Sequence, residues 1–158
     1  MQDKLLMLST RPVAEPGRGS DRVGVRFRSL PAQLTPLIGR EHEVATVCTL
    51  LRCPAMRLLT LTGTGGVGKT RLALQIATNL LDNFADSVCF VSLAPISDPD
   101  LVLSTIAQTL GLWEAGDRPR MEHLKEYLRE KHLLLLLPRC WTRVCCSRRS
   151  RRERIRAW

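Results

Sequence analysis

Aromatic side chains make up only 4% of this 158-residue chain: three Phe, one Tyr and three Trp. Proteins that read single-stranded nucleic acid stack bases on aromatic platforms, and too few rings are present to build one. Long apolar runs are missing as well. Leu133 to Leu137 is too short to span a bilayer, and the run in Met1 to Leu8 is far too short for a secretory signal. The six cysteines (Cys48, Cys53, Cys89, Cys140, Cys145 and Cys146) contain no C-x-x-C pair. That excludes a zinc ribbon or disulfide framework and leaves free thiols in a reducing cytosol. His123 and His132 stand alone and read as structural.

Acidic residues are unevenly missing. No aspartate follows Asp117, and from Arg139 onward eight arginines face one acid, Glu153. That tail carries a net +7 of the chain's +9, so the basicity belongs to the last twenty residues. Such a segment is expected to be disordered and to attract polyanions weakly and without sequence preference.

What the chain does contain is Gly63-Thr64-Gly65-Gly66-Val67-Gly68-Lys69-Thr70, the G-x-x-x-x-G-K-[ST] pattern of a P-loop. The glycines let the backbone aim several N–H groups at one anion. Lys69 brings a mobile positive charge to the outer phosphates, and the Thr70 hydroxyl is placed to ligate Mg²⁺. The segment 57–62 reads as a buried strand entering the loop, and 69–81 as a helix leaving it, with Leu72, Ile76 and Leu80 on one stripe. Gly63, Gly65 and Gly68 also match a dinucleotide fingerprint. That fold needs an acid closing the second strand, and the strand at 88–93 ends in Ala94-Pro95.

Around the loop, the chain divides into three parts. Residues 1–36 hold Pro12, Pro16, Pro31 and Pro36 without a persistent period and read as a flexible leader or linker. Residues 37–137 form the candidate domain. Its further elements are an amphipathic helix over 41–52, a helix with Asp98 as N-cap and Pro99 as first residue that stops at Gly111, a helix marked by Met121, Leu124, Tyr127 and Leu128, and the buried leucine strand. Residues 138–158 form the basic tail. This alternation predicts an α/β fold with a parallel sheet and flanking helices.

From about Leu34 to Leu137 the chain resembles the nucleotide-binding core of the STAND ATPases, the NB-ARC-like modules of large bacterial transcriptional regulators, including LuxR-type ones. The resemblance rests on Leu37-Ile38-Gly39-Arg40-Glu41, on residues 59–73 including Arg71, and on residues 89–94 followed by Asp98-Pro99. It implies ATP or ADP with Mg²⁺ as cofactor, adenine packed near Ile38, Gly39 and Arg40, and a partial P-loop NTPase fold. The family's sheet order is 5-1-4-3-2, so a chain lacking the fourth and fifth strands would leave the P-loop strand without its main neighbour.

The resemblance breaks after Leu137. Family members close this strand with an aspartate that holds Mg²⁺; here Pro138-Arg139-Cys140-Trp141 follows. The remaining residues look like a shifted reading frame of GC-rich DNA. The resulting expectation is a truncated, cytoplasmic nucleotide-binding fragment of a regulator, with no DNA-binding domain, no membrane contact and negligible hydrolysis. Two alternatives stand beside it: a working ATPase or phosphotransferase, and weak nucleic-acid binding through the tail.

Overall fold

A computed structural model describes residues 2–10, 27–96, 98–112 and 120–138. Five strands and four helices are seen among them: β1 (Gln2–Ser9), β2 (Phe27–Ser29), α1 (Glu41–Arg52), β3 (Leu58–Thr64), α2 (Lys69–Asn79), β4 (Ser87–Phe90), α3 (Leu101–Thr109), α4 (Arg120–Glu130) and β5 (Leu133–Pro138). A short 3₁₀ turn, Leu81–Asn83, follows α2.

Strand alternation sorts the core into two layers. On β5, Leu134 and Leu136 turn to one face while Leu133, Leu135 and Leu137 turn to the other, all of them buried. The first face packs against Val44, Val47, Cys48 and Leu51 of α1 and against Leu72, Ala73, Ile76 and Ala77 of α2. The second packs against Ile106 of α3 and Leu124 of α4. A strand buried on both faces calls for an apolar side chain at nearly every position, which is why this run shows no period. Each such leucine contributes about 2 kcal/mol of burial.

The sheet order is β2-β4-β5-β1-β3. β2 and β4 run parallel, as do β4 and β5. β1 is antiparallel to both of its neighbours, pairing Gln2 to Leu8 with Thr64 to Leu58 on one side and Leu5 to Ser9 with Pro138 to Leu134 on the other. The sheet is therefore mixed rather than wholly parallel.

The leader reading is corrected on this evidence. Gln2–Ser9 is a central strand and Phe27–Ser29 an edge strand, not a free linker. The reason is burial: Leu5 and Met7 enter the α1–α2 core and Leu6 the opposite one. β1 lies between the phosphate-loop strand and the leucine strand, so β3 does not lack a neighbour on that side. Its far end is tied down where the Ser9 N–H donates to Arg57 O at 2.9 Å, the Thr10 N–H to Leu133 O at 2.9 Å and the Thr10 hydroxyl to Lys131 O at 2.8 Å.

Other boundaries shift slightly. α3 begins at Leu101 with Asp100 as its cap residue, and Asp98 instead accepts the Asp100 N–H at 3.0 Å in the preceding turn. Pro138, assigned above to the tail, is the last residue of β5. Cys48 and Cys89 are buried, and the His132 ring packs against Phe84 at 4.8 Å. The arginine-rich tail 139–158 and the segment 11–26 lie outside the described residues.

Candidate functional site

β3 delivers the chain to the phosphate loop at Thr64, and α2 leaves it at Lys69. Between them Gly66 and Gly68 sit at φ 84° and 79°, a left-handed conformation that costs an L side chain roughly 1–2 kcal/mol. Gly68 is the cap residue of α2, and no side chain caps that helix. The N–H groups of its first turn are thus left for an external acceptor, with the positive end of the helix behind them.

Lys69 folds back over the loop. Its Nζ donates to Thr64 O at 2.6 Å and to Gly63 O at 3.2 Å. The carbonyls hold the ammonium at the mouth of the loop, where phosphate oxygens can compete for it. A Cβ at Gly63 would approach Val67 Cγ2 to a tight 3.3 Å and Lys69 Cδ to an ordinary 3.8 Å, so this glycine leaves room for the Val67 side chain. Gly65 completes the turn, and Thr70 is exposed on the first turn of α2.

Two arginines fasten a distant segment to this loop. Arg40 Nη1 donates to Val67 O at 3.0 Å, and Arg40 Nε lies 3.5 Å from Glu43 Oε1. Arg71 Nη2 donates to Thr35 O at 3.0 Å, Thr35 Oγ1 at 2.7 Å and Pro36 O at 3.1 Å. Gly39 turns the chain with φ 74°, its N–H donating to Glu41 Oε1 at 3.0 Å. The structure thus brings the Arg40 side chain onto the phosphate loop, with Ile38 and Gly39 just before it in the chain. Ile38 is 83% exposed in the stretch between the two clasps. Arg71 serves as the clasp of residues 35–36, a role that sequence spacing did not reveal because its partners are 35 and 36 residues away.

A separate groove of about 480 Å³ runs between α1 and α2, lined by residues from Pro36 to Arg52 together with Gln75 and Asn79. It shares Arg40 with the site but none of residues 63–70. No group of three or more His, Cys, Asp or Glu side chains able to hold a metal occurs among the described residues. No helix among them is long and apolar enough to cross a membrane.

The donors present fit a nucleotide phosphate group: left-handed glycines, an ammonium bound only by loop carbonyls in the hydrogen bonds seen, and an uncapped helix N-terminus. Comparisons with known proteins agree with that chemistry. A protein of Mycobacterium tuberculosis named as an HTH-type transcriptional regulator is 44% identical over 84 residues, covering 53% of this chain and 9% of its own length. An uncharacterized protein of the same species is 35% identical over 107 residues, 68% of this chain and 27% of its own. A protein of Arabidopsis thaliana named for disease resistance is 30% identical over 126 residues, 75% of this chain and 17% of its own. The chain therefore spans under a third of the length of these relatives. No solved structure matches. The NB-ARC domain family matches residues 40–156, running past β5 into the segment that the sequence reading set apart from it. With that match spanning most of its length and the phosphate loop folded as described, the chain belongs to the NB-ARC family, a STAND P-loop ATPase module.

Proposed function

We propose that this chain binds ATP or ADP with Mg²⁺ through Gly63 to Thr70, with the base against Ile38, Gly39 and Arg40. In this reading it is a truncated nucleotide-binding piece of a cytoplasmic transcriptional regulator. The observation that carries it is the Lys69 ammonium resting on Gly63 O and Thr64 O beside the uncapped start of α2. Phosphate oxygens satisfy that ammonium with charge-assisted hydrogen bonds stronger than those to neutral carbonyls. Exposed Ile38 offers apolar cover to a purine ring, and Arg40 and Arg71 hold its segment in place. Mg²⁺, when bound with the nucleotide, neutralises phosphate charge; Thr70 is the hydroxyl on α2 that supplies a ligand.

Calorimetry with ATP and with ADP tests this. Lys69→Ala is expected to lower affinity by about tenfold or more, and equal binding by the wild type and the variant overturns the reading. Hydrolysis is expected to be negligible, because phosphoryl transfer relies on an oriented nucleophile and a positioned metal, and β5 ends in Pro138 without a carboxylate. Multiple turnovers of phosphate release that Lys69→Ala abolishes would show otherwise. For the truncation, sequencing the locus decides: an in-register continuation of the family downstream in another frame supports it, and its absence counts against it.

A further inference from the structure

Arg40 touches the phosphate loop at one peptide group. Its Nη1 donates to Val67 O at 3.0 Å, and a Cβ placed on Gly68 would lie 4.0 Å from the same nitrogen. The guanidinium is braced from behind. Arg40 Nε lies 3.5 Å from Glu43 Oε1, and Arg40 O accepts the Val44 N–H at 3.1 Å as α1 begins. Val44 and Val47 bury that helix in the core, so the arginine reaches the loop from a fixed base.

Holding Val67 O also orients the next donor. In a planar trans peptide the C=O and the following N–H point in opposite directions. With Val67 O turned toward Arg40, the Gly68 N–H is turned away from it. That N–H donates to no described residue, whereas Gly68 O accepts the Leu72 N–H at 2.9 Å. Gly68 stands at φ 79°, and glycine visits positive and negative φ about equally readily. The backbone at Gly68 therefore does little to fix which way the Val67–Gly68 peptide faces. The hydrogen bond from Arg40 does.

We propose that Arg40 is a positioning residue for the phosphates: by holding Val67 O it selects the peptide orientation in which the Gly68 N–H faces the bound phosphate group. This rests on the phosphate-loop reading above. Gly68 directly precedes Lys69 and the uncapped first turn of α2, so its N–H joins the donors already left open there. The Arg40 charge is engaged by a carbonyl and by Glu43. Its effect on the ligand passes through a neutral N–H, and it does not depend on the base.

The test is calorimetry with inorganic tripolyphosphate and with ATP, at low and at high salt, on the wild type and Arg40→Ala. The variant should bind tripolyphosphate about tenfold more weakly, the size of one hydrogen bond to a charged group, by the same factor at both salt levels. A loss confined to ATP puts Arg40 on the base alone and overturns the proposal. A loss that disappears at high salt marks a screened charge acting at a distance and overturns it too. A wild type that binds neither ligand removes the phosphate-loop reading, and this inference with it. Residual dipolar couplings of ligand-free, ¹⁵N-glycine-labelled protein report N–H direction. In Arg40→Ala the Gly68 coupling should average toward zero while that of Gly63, in β3, holds; an unchanged Gly68 value overturns the proposal. Should Arg40→Ala fail to fold, the wild type saturated with tripolyphosphate decides. A ³¹P–¹⁵N coupling across the hydrogen bond at Gly68 is expected, and its absence overturns the proposal.

Discussion

Leu5 lies opposite Leu61 of the phosphate-loop strand, and both are buried in the core beneath α1 and α2. Since β3 is the last strand in the sheet order, this strip of β1 is what joins the phosphate loop's support to the rest of the sheet. Leu5→Ala removes a side chain that is 1% exposed, and is expected to cost about 2–4 kcal/mol. Leu8→Ala, at a half-buried position of the same strand, should cost clearly less. Urea unfolding followed by far-UV circular dichroism compares them, and equal midpoints would show that β1 does not carry the sheet.

Two loop glycines should fail for different reasons. A Cβ at Gly66 meets nothing within 4 Å, so Gly66→Ala carries only the left-handed backbone cost of about 1–2 kcal/mol. At Gly63 the added methyl group presses on the Val67 side chain of the same loop and reaches ordinary contact with the Lys69 stem. Gly63→Ala is therefore expected to impair nucleotide affinity more than its effect on melting temperature would suggest. Parallel melts and ATP titrations check the contrast.

On the proposed reading, the Arg71 clasp serves the base rather than the phosphates. Arg71→Ala frees Thr35 and Pro36, and with them the approach to Ile38. Affinity for ATP should fall severalfold, about 1 kcal/mol for exposed hydrogen bonds of this kind, while affinity for inorganic tripolyphosphate stays unchanged. A matching loss with tripolyphosphate would place Arg71 on the phosphates instead.

Buried thiols make the fold sensitive to alkali. Burial raises the Cys48 thiol above its ordinary range, with Arg52 opposing, and burial raises Cys89 against the hydrogen bond to Ser87. Folded thiols that hold their protons longer than unfolded ones contribute stability in full below the unfolded value, about 8.5. That contribution is lost as pH rises through the folded value. The melting temperature should be level from about pH 7 to 8 and fall above about pH 9. Tyr127, also raised by burial, adds to the fall at higher pH. In the double variant Cys48→Ala, Cys89→Ala the early part of the fall should shrink; an unchanged profile would rule the thiols out.

The phosphate loop was legible because it is local. Its chemistry comes from eight contiguous residues whose glycines admit left-handed dihedrals, and no distant contact is needed to recognise it. α1 and α2 were legible for the same reason: an amphipathic stripe declares its buried face within a dozen residues. The leucine strand declared burial on both faces, though not its neighbours.

Tertiary structure alone decided what fills the sheet beside β3. A short apolar run such as Leu5 to Leu8 carries no period that separates a strand from a tail, and its partners lie fifty or more residues away on one side and about 130 away on the other. The same distance hid the Arg71 clasp and the pairing of Asp3 with Gly63. Local dihedral preference and helical period are written in neighbouring residues; strand order is not, because it depends on which distant apolar surfaces exclude water most completely together.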